Sequence, residues 1–232
     1  MNTTFKIYNH LYKKYGPQGW WPLIDCSSQE NGYHPNDYSF PKNTQQIFEV
    51  CLGSILTQNT TFTSVTKSLQ NLYHENALDS QKIRDLPIEK FKILIKPSGY
   101  FNQKAEYILN FIDFFHTLKN RIPLRSELLN LRGIGPETAD SILLFAYNQA
   151  EFKVDAYTNR LFSHYGLIDK NAKYDEIKNF IETQIKEEIQ DKQTLVHVYQ
   201  EFHALIVAHS KKFYSKKPYG VGCFLVDIQN HL

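Results

Sequence analysis

Very little in this chain reads as a strand, a membrane span or a metal motif. Its 232 residues include only three cysteines, Cys26, Cys51 and Cys223. None stands at metal-ligand spacing, and an odd count in a chain expected not to be secreted argues for free thiols. His203 and His209 fall six apart on one expected helix, which is not the i, i+4 spacing of a metal pair; His203 reads as a satisfied interior histidine. No apolar run reaches the length of a bilayer crossing, and MNTTFKIYNHLYKKYG at the start lacks the unbroken apolar stretch of a signal peptide. A membrane role is therefore not expected, and a cytoplasmic location is. Tandem repeats and low-complexity tracts are missing too.

What is present is ordinary globular composition, 42% hydrophobic and 22% charged. The length suffices for one large domain or two modest lobes. A net charge of +2 and a pI near 8.3 permit nucleic-acid binding without requiring it. The charge is uneven. Lys211, Lys212, Lys216 and Lys217 cluster near the C-terminus, and Glu182, Glu187, Glu188 and Asp191 precede them. A solvated surface explains such a run as readily as a binding face. Aromatics make up 14% of the chain, and most must be core.

The apolar period is helical almost throughout. Ala105, Ile108, Ile112 and Phe115 predict a helix over 103–118, and Ala139, Ile142, Leu143 and Ala146 another. Ile177, Ile181, Ile185 and Ile189 mark a third, and Leu195 through His209 a long fourth. Segments 5–15 and 45–56 complete an all-α fold of roughly ten helices. Residues 22–43, rich in Pro, Gly, Asn, Asp and Ser, read as a long surface loop.

The most informative stretch is LLNLRGIGPETADSILLFA. An apolar helix ends near Leu131, and a new one begins around Pro136 after a tight turn. Gly133 and Gly135 can take positive φ, and Pro suits a first helical turn. Such a turn aims successive backbone N–H groups outward ahead of a helix N-terminus, a nest for a DNA phosphate. An ordinary corner between two helices has the same build. It is no dinucleotide fingerprint, because Thr138 replaces the third glycine and a helix precedes the turn.

The segment LRGIGPETAD, Leu131–Asp140, resembles the helix-hairpin-helix of the endonuclease III superfamily of DNA glycosylases. FKVDAYTNRLF places Asp155 eighteen positions after Glu137, which is the family's spacing. LGSILTQNTTF resembles the loop that inserts a glutamine into the duplex, and SGYFNQKA at 98–105 resembles another family segment. The similarity runs from about Trp20 to Cys223. It implies two helical lobes: 40–149, a six-helix barrel ending in the hairpin, and 1–39 with 150–232 as the second. DNA would lie across the cleft between them.

The resemblance also implies roles. Asp155 becomes the catalytic carboxylate, stabilising an oxocarbenium-like sugar and orienting a water. The same residue at a helix start also suits an N-cap. Lyase members carry a lysine in the hairpin that attacks the sugar as an amine; Glu137 stands at that position, which implies a monofunctional enzyme unless Lys153 or another lysine substitutes. Gln58 becomes the side chain that fills the gap left by a flipped base, with Asn59 and Thr60 assisting or simply ending the helix. Arg132, Gly133, Ile134, Gly135 and Thr138 become the DNA-binding turn.

The pair Trp20-Trp21, with Phe62, resembles the base pocket of the 3-methyladenine glycosylase III branch. One tryptophan is expected in the core and the other, with Phe62, against the base, where a π-face suits a cationic alkylated purine; packing is the alternative for all three. The tail resembles the cluster loop of relatives, yet only Cys223 stands at a ligand position, with Gly220 and Gln229 at two others. One thiolate cannot hold a [4Fe–4S] cluster, so no cofactor is expected, and Phe213, Tyr214 and Phe224 should pack that space. The partner implied is double-stranded DNA with a damaged base, bound by a monomer. A glycosylase/lyase for oxidised or mismatched bases, or a non-catalytic DNA-binding protein that kept the hairpin, are the rival readings.

Overall fold

A computed structural model describes residues 1–24 and 32–225; Cys26, Gln229 and the middle of the 22–43 stretch lie outside them. The fold is all-α. Among the described residues there are eleven α-helices and no strand, and no helix is long and apolar enough to cross a membrane. Most helices start where a side-chain oxygen takes a first-turn N–H: Asn2, Asn43, Thr61, Asp79, Asp155 and Asp191 all cap in this way.

The chain divides into two compact units, one of Met1–Trp20 with Gln149–Leu232 and one of Trp21–Asn148. In the first, α1 (Thr3–Tyr15) and α9 (Ala156–His164) pack on α11 (Lys192–Phe213), and α10 (Tyr174–Lys186) packs on α1. Tyr8 of α1 meets Phe202 of α11 edge-on at 5.5 Å, and the Tyr15 hydroxyl meets His209 further along. Asn2 fastens the start of α1 to the end of α10 through the Gln184 carbonyl and the Glu188 carboxylate. Phe152, Phe162, Tyr199 and Phe202 fill the interior.

The second unit is built on α2 (Thr44–Leu56), which is buried without a break from Phe48 to Leu56. A helix apolar on all sides belongs inside a core. Against it pack α3 (Phe62–His74), α6 (Phe101–Thr117) and α8 (Pro136–Ser141), the last continuing as a π-helical turn over Ile142–Ala146; α4 (Ser80–Asp85) packs on α6, α5 (Ile88–Ile95) on α3 and α6, and α7 (Arg125–Leu129) on α8.

Two expectations need correction here. The first unit ends at Trp20, not at residue 39, because the segment that follows packs into the second unit. Nor is 22–43 simply a surface loop. Residues 22–24 and 32–34 pack inward, whereas much of 35–43 lies at the surface: Leu23 is buried, its N–H donates to the Gly32 carbonyl, Ile24 N–H donates to buried Glu49, and His34 bonds to the Trp21 carbonyl. Polar composition predicted exposure, but these polar groups find partners in the chain, which is what burial demands.

Candidate active site

Asp155 enters α9 in extended conformation and caps it. Its Oδ1 accepts from the Thr158 N–H at 2.8 Å and from the Thr158 hydroxyl at 3.0 Å. The other oxygen, Oδ2, accepts nothing from the described residues, and the side chain is half-buried. Capping and catalysis are thus compatible on one carboxylate. Burial works against its charge, yet His203, Lys153 and the two Thr158 bonds outweigh burial and hold the carboxyl below the usual carboxylate range. Burial and Lys153 push His203 itself down to about 3, so it is neutral near pH 7. The positive neighbour that Asp155 feels there is Lys153.

His203 is interior, as its spacing implied: it donates from Nδ1 to the Lys153 carbonyl. It also touches a predicted site residue. The Trp20 indole meets its ring edge-on, at 5.7 Å and 73°. Trp20 is half-buried, whereas Trp21 is buried at 3% exposure, with Phe62 at 5.5 Å and Phe145 at 5.5 Å around it. Gly53 of α2 makes room, since a Cβ there would stand 3.2 Å from the Trp21 ring. Trp21 is therefore the core member of the pair, and Phe62, half-buried, serves as its packing partner.

The hairpin is more internally committed than its sequence implied. Gly133 takes φ +87, with the Tyr107 ring directly behind it. Gly135 does not take positive φ; it is extended at φ −91, at the start of α8. Ile134 is buried and its N–H closes the turn onto Leu131. Thr138 is buried as well, and Asp140 is fully buried in a two-point ion pair with Arg125. Arg132 lies exposed against Glu106, and Glu137 is exposed on the first turn of α8. Of the expected DNA-binding side chains, Ile134 and Thr138 thus face inward, for the ordinary reason that a turn this tight must fill its own inside.

Gln58 is where local reasoning saw least. Its amide donates to the Gly133 carbonyl at 2.8 Å and to the Thr138 hydroxyl at 3.0 Å, so it ties the turn after α2 to the hairpin. Asn59, next along, is exposed at φ +52. The same turn reveals a residue that sequence reasoning passed over. Lys104, within SGYFNQKA, is buried at 2% exposure and donates to the carbonyls of Leu56 and Ser98, both at 2.7 Å. Burial pushes its ammonium down to about 8. A lysine at an apolar helix position was the only available signal.

Lys104→Met should leave both carbonyls buried without a donor, at about 1–3 kcal/mol for each. A fall in Tm of roughly 5–15 °C is expected by calorimetry, with Lys104→Arg recovering part of it.

In the first unit, Cys223 sits among aromatic and polar groups. His209 Nε2 lies 3.1 Å from the sulfur, and the Tyr165 and Tyr214 hydroxyls 3.3 and 3.7 Å. Burial and Lys212 push His209 down to about 4, so its ring is neutral; one N–H toward the sulfur leaves Nδ1 to accept from Tyr15. Phe224 lies across His209 and Phe213.

The chain belongs to the HhH-GPD superfamily of base excision DNA repair proteins, whose sequence profile matches residues 52–187. It is a DNA glycosylase of the endonuclease III superfamily. Over 224 residues it is 39% identical to a Methanocaldococcus jannaschii chain described as a DNA repair glycosylase, covering 92% of this chain and 89% of that one. It is also similar to the H. pylori 3-methyladenine DNA glycosylase bound to 1,N6-ethenoadenine. That likeness has 30% identity and a TM-score of 0.70, over 90% of this chain and 97% of the other. A non-covalent endonuclease III–DNA complex superposes at a TM-score of 0.72 over 98% of this chain and 95% of that one; at 18% identity this is a likeness of fold.

Proposed function

We propose that the protein is a monofunctional glycosylase that hydrolyses the bond between deoxyribose and a flipped-out alkylated purine such as 3-methyladenine. The two observations that carry the reading are an ionised Asp155 with Oδ2 unengaged and, separately, a carboxylate, Glu137, in place of an amine at the exposed hairpin position. As the bond to the base lengthens, positive charge gathers on the sugar. A fixed carboxylate stabilises that charge and orients the water that completes hydrolysis. Glu137 offers no amine, so no Schiff base forms there.

The extruded base stacks on aromatic surface, for which Trp20 is the candidate with a half-exposed ring. The likeness to the H. pylori enzyme supports an alkylated or otherwise modified adenine. The 57–60 turn fills the gap in the duplex. Gln58 would have to give up two hydrogen bonds to do so, at about 1 kcal/mol each, while Asn59 already points outward. Lys211, Lys212, Lys216 and Lys217 are exposed and suit phosphate contacts, which gives salt-sensitive binding of double-stranded DNA by a monomer at the nucleoid.

We also propose that it works without an iron–sulfur cluster. A single thiol ringed by a histidine and two tyrosines is not the donor set of a four-thiolate cluster, and iron analysis of the purified protein tests this.

One observation favours a second reading. Lys153 lies near Asp155 and is an amine, so it could serve a lyase step. Incubation with duplexes carrying 3-methyladenine, 7-methylguanine, uracil or an oxidised pyrimidine separates the two. Release of the methylated base, with strand cleavage only after alkali, is the expected result. An enzyme–DNA adduct trapped by borohydride would overturn the monofunctional assignment.

A further inference from the structure

The segment Tyr15–Trp20 leaves α1 and has to bring an indole to a defined place with little regular structure to hold it. Gln18 bonds through its side chain to the carbonyls of Tyr15 and Gly16, which stiffens the segment locally. Its attachment to the rest of the first unit is different in kind. Glu201, on α11, is buried at 2% exposure. Its Oε2 accepts from the Gln18 N–H at 2.7 Å, and its Oε1 from the Gly19 N–H at 3.2 Å. Two successive backbone N–H groups thus close on one carboxylate, one per oxygen, with Gly19 at φ +65 allowing the turn. Trp20 is the next residue. Two positions along α11 from Glu201 stands His203, whose ring meets the Trp20 indole and whose Nδ1 donates to the Lys153 carbonyl, two residues before Asp155.

We infer that Glu201 is a positioning residue for base recognition, holding the Trp20 indole in fixed register with the strand of chain that carries Asp155. The inference rests on the reading of Trp20 as the stacking surface for the extruded base. Charge-assisted bonds to backbone N–H groups are stiffer than neutral ones, and a buried carboxylate that loses its donors is heavily penalised. The tie therefore resists rotation of the turn. Fixing an aromatic plane relative to the attacking group matters because displacements near 1 Å cost about 10²-fold in rate. The same α11 segment thus serves both partners: Glu201 sets the indole, and His203 bridges from it to the Lys153–Asp155 backbone.

The chain has two tryptophans, so a Trp21→Phe background leaves Trp20 as the single indole reporter. In that background Glu201→Gln, which can accept from only one of the two N–H groups, should shift Trp20 emission to longer wavelength and raise its quenching by acrylamide. In the otherwise native chain the same variant should lower kcat/KM on 1,N6-ethenoadenine duplex about 10- to 100-fold, with affinity for undamaged duplex unchanged. Glu201→Asp, which keeps the charge and shortens the reach, should show a smaller change of both kinds, and it serves if the Gln variant does not fold. Trp20 emission and quenching equal to the parent in both variants would overturn the tie. Altered emission with unchanged excision would overturn its part in recognition. Full excision by Trp20→Ala would instead overturn the stacking reading on which the inference rests, while the emission result still decides whether Glu201 holds the turn.

Discussion

Asp155→Asn is expected to yield a folded, DNA-binding protein whose base release is slower by about 10²- to 10⁴-fold. Asparagine caps a helix about as well as aspartate, so its side-chain oxygen can keep the Thr158 N–H bond and Tm should change little. What it removes is the charge at the second oxygen. Single-turnover base release beside thermal unfolding separates the two functions, and wild-type excision by the variant would place the catalytic group elsewhere. The pH profile follows from the same environment. The carboxyl is held below the usual carboxylate range, so excision should be flat from neutral into mildly acidic solution and fall only as the carboxyl takes up a proton. His203, neutral above about 3, adds no limb between pH 5 and 8. A depressed folded-state pKa also means that the cap stabilises the protein above the unfolded aspartate value near 3.9 and loses that contribution as pH falls through the folded value.

Gly133→Ala should be the most damaging substitution in the hairpin. A Cβ there would lie 2.2 Å from the Tyr107 ring, and the backbone is at φ +87. The left-handed conformation costs an alanine about 1–2 kcal/mol, and the overpacking about 1–3 more. At roughly 2–4 °C per kcal/mol for a chain of this size, a fall in Tm on the order of 5–15 °C is expected, and DNA affinity should fall with it. Gly135→Ala is the contrast, since the backbone is extended and nothing lies within 4 Å of the added carbon. Its Tm should stay within about 3 °C of the parent, and on the proposed reading of the turn as a phosphate nest DNA affinity drops, because the added methyl group would stand on its open side. Equal loss of Tm in both variants would mean that the two glycines do not divide the work in this way.

Much of this molecule is legible from short stretches of chain. The helices follow because apolar residues recur with the helical period, and their starts because Asn, Asp and Thr precede them. The hairpin turn is legible from glycine and proline placement, although only Gly133 needs its special backbone. That Asp155 caps α9 is legible from its place at a helix start. By contrast, nothing local distinguishes Trp20 from Trp21, or says that Ile134 and Thr138 face inward. Residues 22–24 and 32–34 look exposed by composition, yet they pack inward because Gly32, Glu49 and the Trp21 carbonyl supply their hydrogen bonds.

The division has a physical cause. Helix periodicity, capping and turn conformation are properties of neighbours within a few residues, and so is the identity of the capping aspartate. Which groups pair in the interior depends on segments far apart in the chain. Gln58 meets Gly133 across 75 positions, Lys104 meets Leu56 across 48, and Glu201 meets Gln18 across 183. A buried polar group must find a partner wherever the packing brings one, and only the folded chain decides which. That is why the aspartate could be named from its neighbours, while Gln58, Lys104 and Glu201 take their places only in the assembled core.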